Sequence, residues 1–361
     1  MMQVQFNHEY ERRLKVGYVG TGEQSFSNIL PCFQYLPLEL VAVADHDSTR
    51  GLAVARQFGA RHFYPNHKAM LAKEKMDVVF FVVGPDVQGK PRYPSLAEDA
   101  LREGFHVWID SPPCSAMNEV KQLTYGCNSR GKWIQTCFPR MFAPAYLKVA
   151  EITQDTAFGG ISSFAMRYPA ALPPMDVRGN TLAMGPFLAD FLQPYSVLLR
   201  LFGECEGLSY IRSTLGDAII TFRYRSGVIG SLHLTGSQAL TSPTERLEVV
   251  GNGANVIVEN GLRLIYYRAG GFAGVCNEER PASFIGPDEN APIMWQPDMS
   301  TGPFYNKELF FQGYVGCIQH FAERILQNEP PRHGNISDML HMMMIYDKVR
   351  DGSEKTWLSL Y

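Results

Sequence analysis

The 361-residue chain contains no run of 18 consecutive apolar residues, so no transmembrane helix is expected from it. Its opening stretch, MMQVQFNHEYERRLK, is polar and lacks the apolar centre of a secretory signal, which points to the cytoplasm. Cysteines number seven, an odd count, and no C-x-x-C pair occurs. That argues against a disulfide framework or a zinc site and fits reduced thiols. Charge of one sign is not in excess: the formal net charge is −3, so nothing directs the chain to nucleic acid or to a membrane surface. Internal repeats and low-complexity tracts are missing as well. Histidine is absent between residues 170 and 232, an absence with chemical consequences below.

What is present is an ordinary globular balance, 45% hydrophobic and 19% charged, in a chain long enough for two cores. Apolar runs at 14–19, 38–47, 76–86, 105–110 and 132–138 alternate with helical patterns such as STRGLAVARQFG and PSLAEDALREG. Strands alternating with helices predict an α/β domain over residues 1–137, a doubly wound parallel sheet that binds ligands at the carboxyl ends of its strands. From residue 138 the pattern changes. A helix over 140–159, a strand over 161–169 and a helix over 185–203, broken or kinked near Pro194, lead into successive strand-like runs without helices between them. Helices over 314–331 and 336–352 follow, and KTWLSL adds a short strand. Residues 138–361 therefore read as an α+β domain with a large, mainly antiparallel open sheet and helices on one face.

The first strand runs into Gly20-Thr21-Gly22-Glu23-Gln24-Ser25, followed by a helix carrying Ile29, Leu30 and Phe33 on one face. The dinucleotide fingerprint is G-x-G-x-x-G/A, with glycines for the tight turn and for close approach of a pyrophosphate. Here the third small position is Ser25. Asp45 ends the second strand, 23 residues beyond Gly22, where an acid accepts ribose hydroxyls of NAD and repels the 2′-phosphate of NADP. A Rossmann NAD site is the expectation; a glycine turn in an α/β protein that binds no nucleotide is the bland alternative.

Several local motifs, in order, resemble the Gfo/Idh/MocA oxidoreductases: VGYVGTGEQSFSNILP, VVGPD, REGFHVWIDSPPCS, CFPRMFAPAY and YVGCIQHFAERILQNEPPRHGNISDML. The resemblance spans nearly the whole chain. It implies hydride transfer between NAD(P) and a hydroxyl-bearing carbon of a sugar, cyclitol or related molecule. It places cofactor contacts at Gly20, Thr21, Gly22, Gln24 and Asp45, at Gly84 and Pro85, and at Asp110 and Pro112. It also exposes departures. The family's Glu-Lys-Pro segment reads Asp110-Ser111-Pro112, so the lysine position holds Ser111. On the helix near Pro194 one register puts Gln193 at the histidine position and Ser196 at the aspartate position, and another gives Asp190 and Gln193; in either, no histidine is present. Losing a positioned acid or base typically lowers rate by about 10²–10⁴-fold.

Asp190, one helical turn from Gln193, and Lys90, in the loop after the third strand, are the candidate catalytic replacements, with Arg92 beside Lys90. Ser111, Arg140, Arg167, Tyr168 and Gln193 are the candidate substrate contacts. His62 and His67 have no third ligand nearby, so no metal site is expected. His106 reads as structural, and His233 faces away from Leu232 and Leu234. The expected function is an NAD-linked oxidoreductase with a rearranged proton path, NADP being the lesser cofactor. The alternative is an inactive relative serving as a ligand sensor or as partner subunit of an active paralogue. A third reading keeps NAD bound and recycles it within one turnover. The open sheet leaves a face to cover, so a homo-oligomer is expected.

Overall fold

The computed structural model describes residues 5–239, 241–268, 291–297, 307–352 and 358–360. Six parallel strands form the first sheet: β1 Leu14–Val19, β2 Leu38–Ala44, β3 His62–Tyr64, β4 Val78–Phe81, β5 His106–Ile109 and β6 Ile134–Thr136. Their order is β3-β2-β1-β4-β5-β6. The strand order reverses beside β1, so a crevice opens between the carboxyl ends of β1 and β4. These strands are near-continuous apolar runs because both faces are covered: all four residues of β4 are buried. The helices between strands are α1 Ser48–Phe58, α2 His67–Lys73, α3 Tyr93–Arg102 and α4 Met117–Arg130. Their ends follow from local chemistry. The Asp47 carboxylate caps α1 by accepting from Arg50 N–H, and Gly59 ends it in the left-handed conformation.

The segment after the glycine turn differs from the expected regular helix. Ser25–Ile29 winds as a wide π-type turn and Leu30–Tyr35 as a tight 3₁₀ turn. Pro31 has no N–H to donate and its ring crowds the preceding turn, so a regular ladder cannot pass through it. The expected face is nevertheless kept, with Ile29, Leu30 and Phe33 buried. The short β3 was not visible as an apolar run; its three residues are all partly exposed.

The second sheet has nine described strands in the order β14-β13-β12-β11-β7-β10-β9-β8-β15. They are β7 Ile161–Tyr168, β8 Cys205–Arg212, β9 Ala218–Tyr224, β10 Ile229–Leu234, β11 Arg246–Gly251, β12 Asn255–Glu259, β13 Arg263–Tyr267, β14 Ile293–Trp295 and β15 Leu358–Ser359. All pairs are antiparallel except β7 with β10. Alternation along β9 is strict, with every second residue buried. Of the cysteines, Cys276 lies outside the described residues; the other six are buried and unpaired.

Helix α5 spans Pro144–Gln154 and α6 spans Thr181–Phe202. Helix α6 is capped by Asn180, whose side chain accepts from Leu182 and Ala183 N–H. It stays one helix through Pro186 and Pro194, so the break expected near Pro194 does not occur. By length and composition alone it could cross a membrane, but most of its apolar window is buried inside this domain. Helices α7 Lys307–Phe311, α8 Tyr314–Leu326 and α9 Ile336–Asp351 complete the chain. The last two return to the first sheet: Gln135 Nε2 donates to Cys317 O at 2.9 Å and Thr136 N–H to Gly334 O at 2.8 Å. This return joins the two units and was not legible in the sequence.

Candidate active site

The crevice at the strand ends continues into a cavity of about 870 Å³ walled by elements of both units, including Gly22, Gln24, Gly84, Pro85, Asp110, Ser111 and Pro112 from the first. A smaller cavity of about 210 Å³ adjoins it and contains Gly20, Thr21, Asp45, His46 and Arg50. The two share Gly22, Val82, Val83 and Gly84, so they form one track across the end of β1. The larger cavity lies near the upper end of ordinary ligand sites, roughly 300–1,000 Å³.

Gly20 has φ +97°, and a β-carbon there would sit 2.0 Å from the Val82 carbonyl oxygen, so only glycine fits. A β-carbon on Gly22 or Gly84 would meet no atom within 4 Å; these residues face open space where a ligand's phosphates can approach backbone. Ser25 is fully buried and its hydroxyl donates to Gly20 O at 2.9 Å, closing the turn in place of the third glycine. Asp45 is also buried, and one of its oxygens accepts from both Thr21 N–H and the Thr21 hydroxyl at 2.7 Å. The other accepts from Asp47 N–H at 2.9 Å. Burial opposes its charge, but these hydrogen bonds, aided by Arg50, outweigh burial and hold the carboxyl below its ordinary range. Asp45 therefore braces the glycine turn as well as standing beside the smaller cavity. The residues present fit a dinucleotide: an open glycine cradle, an ionised acid at the second strand, and a cavity on either side.

At the other end of the track, Asp110 follows β5 and lines the large cavity. Burial pushes its carboxyl up to about 7, partly offset by hydrogen bonds from Ser111 N–H and from the Gln24 and Cys137 side chains. Gln24 also reaches Tyr314 Oη at 3.4 Å. Ser111 lies beside Asp110 on the cavity wall, and its hydroxyl accepts from Gln193 Nε2 at 3.0 Å, across the two units. Ser196 is buried and donates to Gln193 O at 2.7 Å.

The remaining sequence candidates are not brought together there. Lys90 is exposed and borders a separate outer groove, while its neighbours Gly89 and Pro91 face the large cavity. Arg92 is held by Gly84 O, to which its Nε donates at 2.9 Å. Asp190 is exposed and its charge acts on Tyr168, while Ala189 rather than Asp190 lines the cavity. Partial burial of its carboxyl still raises it above the ordinary range. Arg140 pairs with the buried Glu245, which also accepts from Tyr146, and its guanidinium lies 5.9 Å from the Tyr168 ring centre. This is a second polar cluster, apart from the cavity wall. Arg167 is on the opposite face of β7 from Tyr168, because successive strand residues alternate, and donates to Pro243 O. His233 stands beside it in register. Among the described residues no cluster of three metal-ligating side chains occurs; His62 pairs with Glu74 and His67 with Asp99.

The sequence reading missed the cavity's far wall: Arg178 before α6, Leu182 and Met184 on α6, and Tyr346, Arg350 and Asp351 at the end of α9. No motif marks them, since they meet only through the return of α9. Tyr93 was also missed; its hydroxyl donates to Val83 O at 2.8 Å and steadies the turn after β4.

Residues 14–138 match the Gfo/Idh/MocA family, described as an oxidoreductase family with an NAD-binding Rossmann fold. The match is confined to the first unit, which is an NAD-binding Rossmann domain of this family; the second unit is a mainly antiparallel sheet domain. It is 23% identical over 347 residues to dTDP-3,4-didehydro-2,6-dideoxy-alpha-D-glucose 3-reductase of Actinomadura kijaniata, covering 94% of this chain and 96% of that one. It is 24% identical over 157 residues to D-xylose 1-dehydrogenase (NADP(+)) 2 of Haloferax volcanii, a match spanning 44% of this chain and 46% of that relative. Solved structures share this two-unit fold. A dehydrogenase from Chromobacterium violaceum superposes with TM-score 0.77 at 19% identity, over 95% of this chain and 96% of that one. An oxidoreductase from Agrobacterium radiobacter in complex with NAD+, L-tartaric acid and magnesium gives 0.75 at 14%, over 96% and 98%.

Proposed function

We propose that this protein is an NAD(P)-dependent oxidoreductase of the Gfo/Idh/MocA type acting on a sugar, cyclitol or related hydroxylated small molecule, with Asp110 handling the proton. The observation that carries the reading is the single track from the Asp45 end of the glycine turn to Asp110. The relatives' names, a sugar dehydrogenase and a sugar ketoreductase, agree with it. In this reading Gly20, Gly22 and Gly84 admit the phosphates, and Asp45 accepts ribose hydroxyls and disfavours a 2′-phosphate, so NAD is preferred. The nicotinamide supplies the hydride acceptor or donor when bound. Asp110 is a titratable group of matched pKa on the cavity wall: ionised, it takes a hydroxyl proton during oxidation; protonated, it returns one to the nascent alkoxide during reduction. The Ser111 hydroxyl orients the reacting oxygen and Gln193 holds that hydroxyl in place. Asp110 takes the role first sought at Asp190 and Lys90, whose side chains do not line the cavity.

The bond between Ser111 and Gln193 favours a second reading, an inactive relative that binds ligand without turnover. Both readings are separated by one experiment. The purified protein is titrated with NADH by fluorescence, then assayed in both directions against a broad panel of sugars, cyclitols and their keto forms. Turnover abolished by Asp110→Asn supports the first reading. NADH binding with no turnover across the panel supports the second, and no NADH binding removes the first.

A further inference from the structure

We infer that the substrate of this site carries an oxyanion, a carboxylate or a phosphate on a hydroxylated small molecule, and that Arg178 receives it. This rests on the reading of the cavity as a substrate site. Arg178 is 3% exposed and forms part of the cavity wall. Its side chain makes three hydrogen bonds, all to neutral oxygens: Nε to Pro173 O at 2.8 Å, Nη1 to Tyr210 Oη at 2.7 Å and Nη1 to Val349 O at 3.1 Å. Its Nη2 is buried and has no partner. Among the described residues no carboxylate pairs with it.

A buried guanidinium is normally neutralised, because leaving a charge in low dielectric without a counter-charge is strongly unfavourable. The contrast lies in the same cavity. Arg350 also lines it, and Arg350 is satisfied: its Nη1 lies 3.1 Å from Asp347 and its Nε and Nη2 reach Asp351 at 2.7 and 2.6 Å. One arginine of the wall is therefore neutralised by carboxylates, whereas the other has no counter-charge and only the Tyr210 ring, 5.5 Å from its guanidinium carbon. The remaining carboxylates on the wall, Glu23 and Asp110, belong to the glycine turn and to the end of β5, the cofactor side of the track. The amino-terminal turn of α6 contributes Thr181 and Leu182 to the same wall, and the positive end of its dipole favours an anion there. An arginine fork with one free nitrogen suits a single oxygen of a carboxylate or phosphate. The substrate thus lies with its reacting carbon toward Asp110 and its anionic end toward Arg178.

The test is a matched panel of glucose, gluconate, glucuronate and glucose 6-phosphate, measured by calorimetry on the full chain with and without NADH. At least one acidic member is expected to bind tenfold or more tightly than glucose, and whether a carboxylate or the phosphate wins identifies the group. No acidic member exceeding glucose would overturn the inference. In Arg178→Gln the preference is expected to vanish while NADH binding is unchanged; a preference surviving with NADH still bound would also overturn it. If that variant fails to fold, the wild-type panel decides alone. Failure of the wild type to bind NADH removes the oxidoreductase reading, whereas NADH binding without acid preference removes only this inference.

Discussion

Gln193 Nε2 donates to Ser111 Oγ at 3.0 Å, linking α6 of the second unit to the tip of β5 in the first. In the resemblance these are the positions of a histidine and a lysine. Here two neutral groups fill them and satisfy each other. A neutral hydrogen bond contributes a net of about 0.5–1.5 kcal/mol. Ser111→Ala and Gln193→Ala are each expected to lower stability by about 1 kcal/mol, and the double variant by little more than the larger single effect. Urea unfolding of the four proteins checks this; strictly additive effects would mean the two side chains do not interact.

Asp110 provides a pH signature. Its carboxyl is raised to about 7 in the folded chain, far above its unfolded value. The protonated form is the one favoured by folding, so its contribution is complete below the unfolded value, near pH 4, and is lost as pH rises through about 7. The wild type should lose melting temperature relative to Asp110→Asn between about pH 4 and 7 and change little above that. In catalysis the same titration has opposite effects on the two directions. Reduction should fall above pH 7 and oxidation should fall below it, and Asp110→Asn should abolish both limbs. A flat wild-type profile across this range would exclude Asp110 as the proton carrier.

Why the fold was legible and the substrate wall was not follows from where each signal is written. The parallel sheet announces itself because β1, β2, β4 and β5 are buried on both faces and so read as unbroken apolar runs. The turn at Gly20 announces itself because φ +97° against the Val82 carbonyl admits nothing else. Lys90 and Asp190 could not be placed, since loop direction and helix rotation decide which neighbour faces the cavity; Pro91 and Ala189 do, and the charged residues do not. Arg167 failed for a one-residue reason, the alternation of β7, which turns it away from Tyr168. Arg178 carries no local pattern. Its burial depends on Tyr210 from β8 and Val349 from α9, residues distant in sequence.

Asp45 has two jobs that a single substitution separates poorly but a cofactor comparison separates well. Replacing it by asparagine removes the ionised acceptor of Thr21 N–H and hydroxyl. A loss of about 1–3 kcal/mol in stability is expected, as for other hydrogen bonds to buried charged groups. NADH affinity should fall at least tenfold, and the gap between NADH and NADPH should narrow because the repulsion of a 2′-phosphate is gone. Fluorescence titration with both nucleotides reads this directly; an unchanged NADH-to-NADPH ratio would show that Asp45 serves the glycine turn alone.

The two glycines of the turn should fail in different ways. Alanine at Gly20 forces a β-carbon to within 2.0 Å of Val82 O at φ +97°, so backbone must move. A loss of more than about 2 kcal/mol is expected, with cofactor binding lost as a consequence of the distorted turn. Alanine at Gly22 meets nothing within 4 Å, and no left-handed φ opposes it. Its stability should stay within about 0.5 kcal/mol of the wild type. Its methyl group, however, enters the space where the two cavities join, the place assigned to the pyrophosphate. NADH affinity should therefore drop while the melting temperature does not. Thermal unfolding and NADH titration on both variants separate the cases: a Gly22→Ala protein with wild-type NADH affinity would mean that the dinucleotide does not cross the turn at this point.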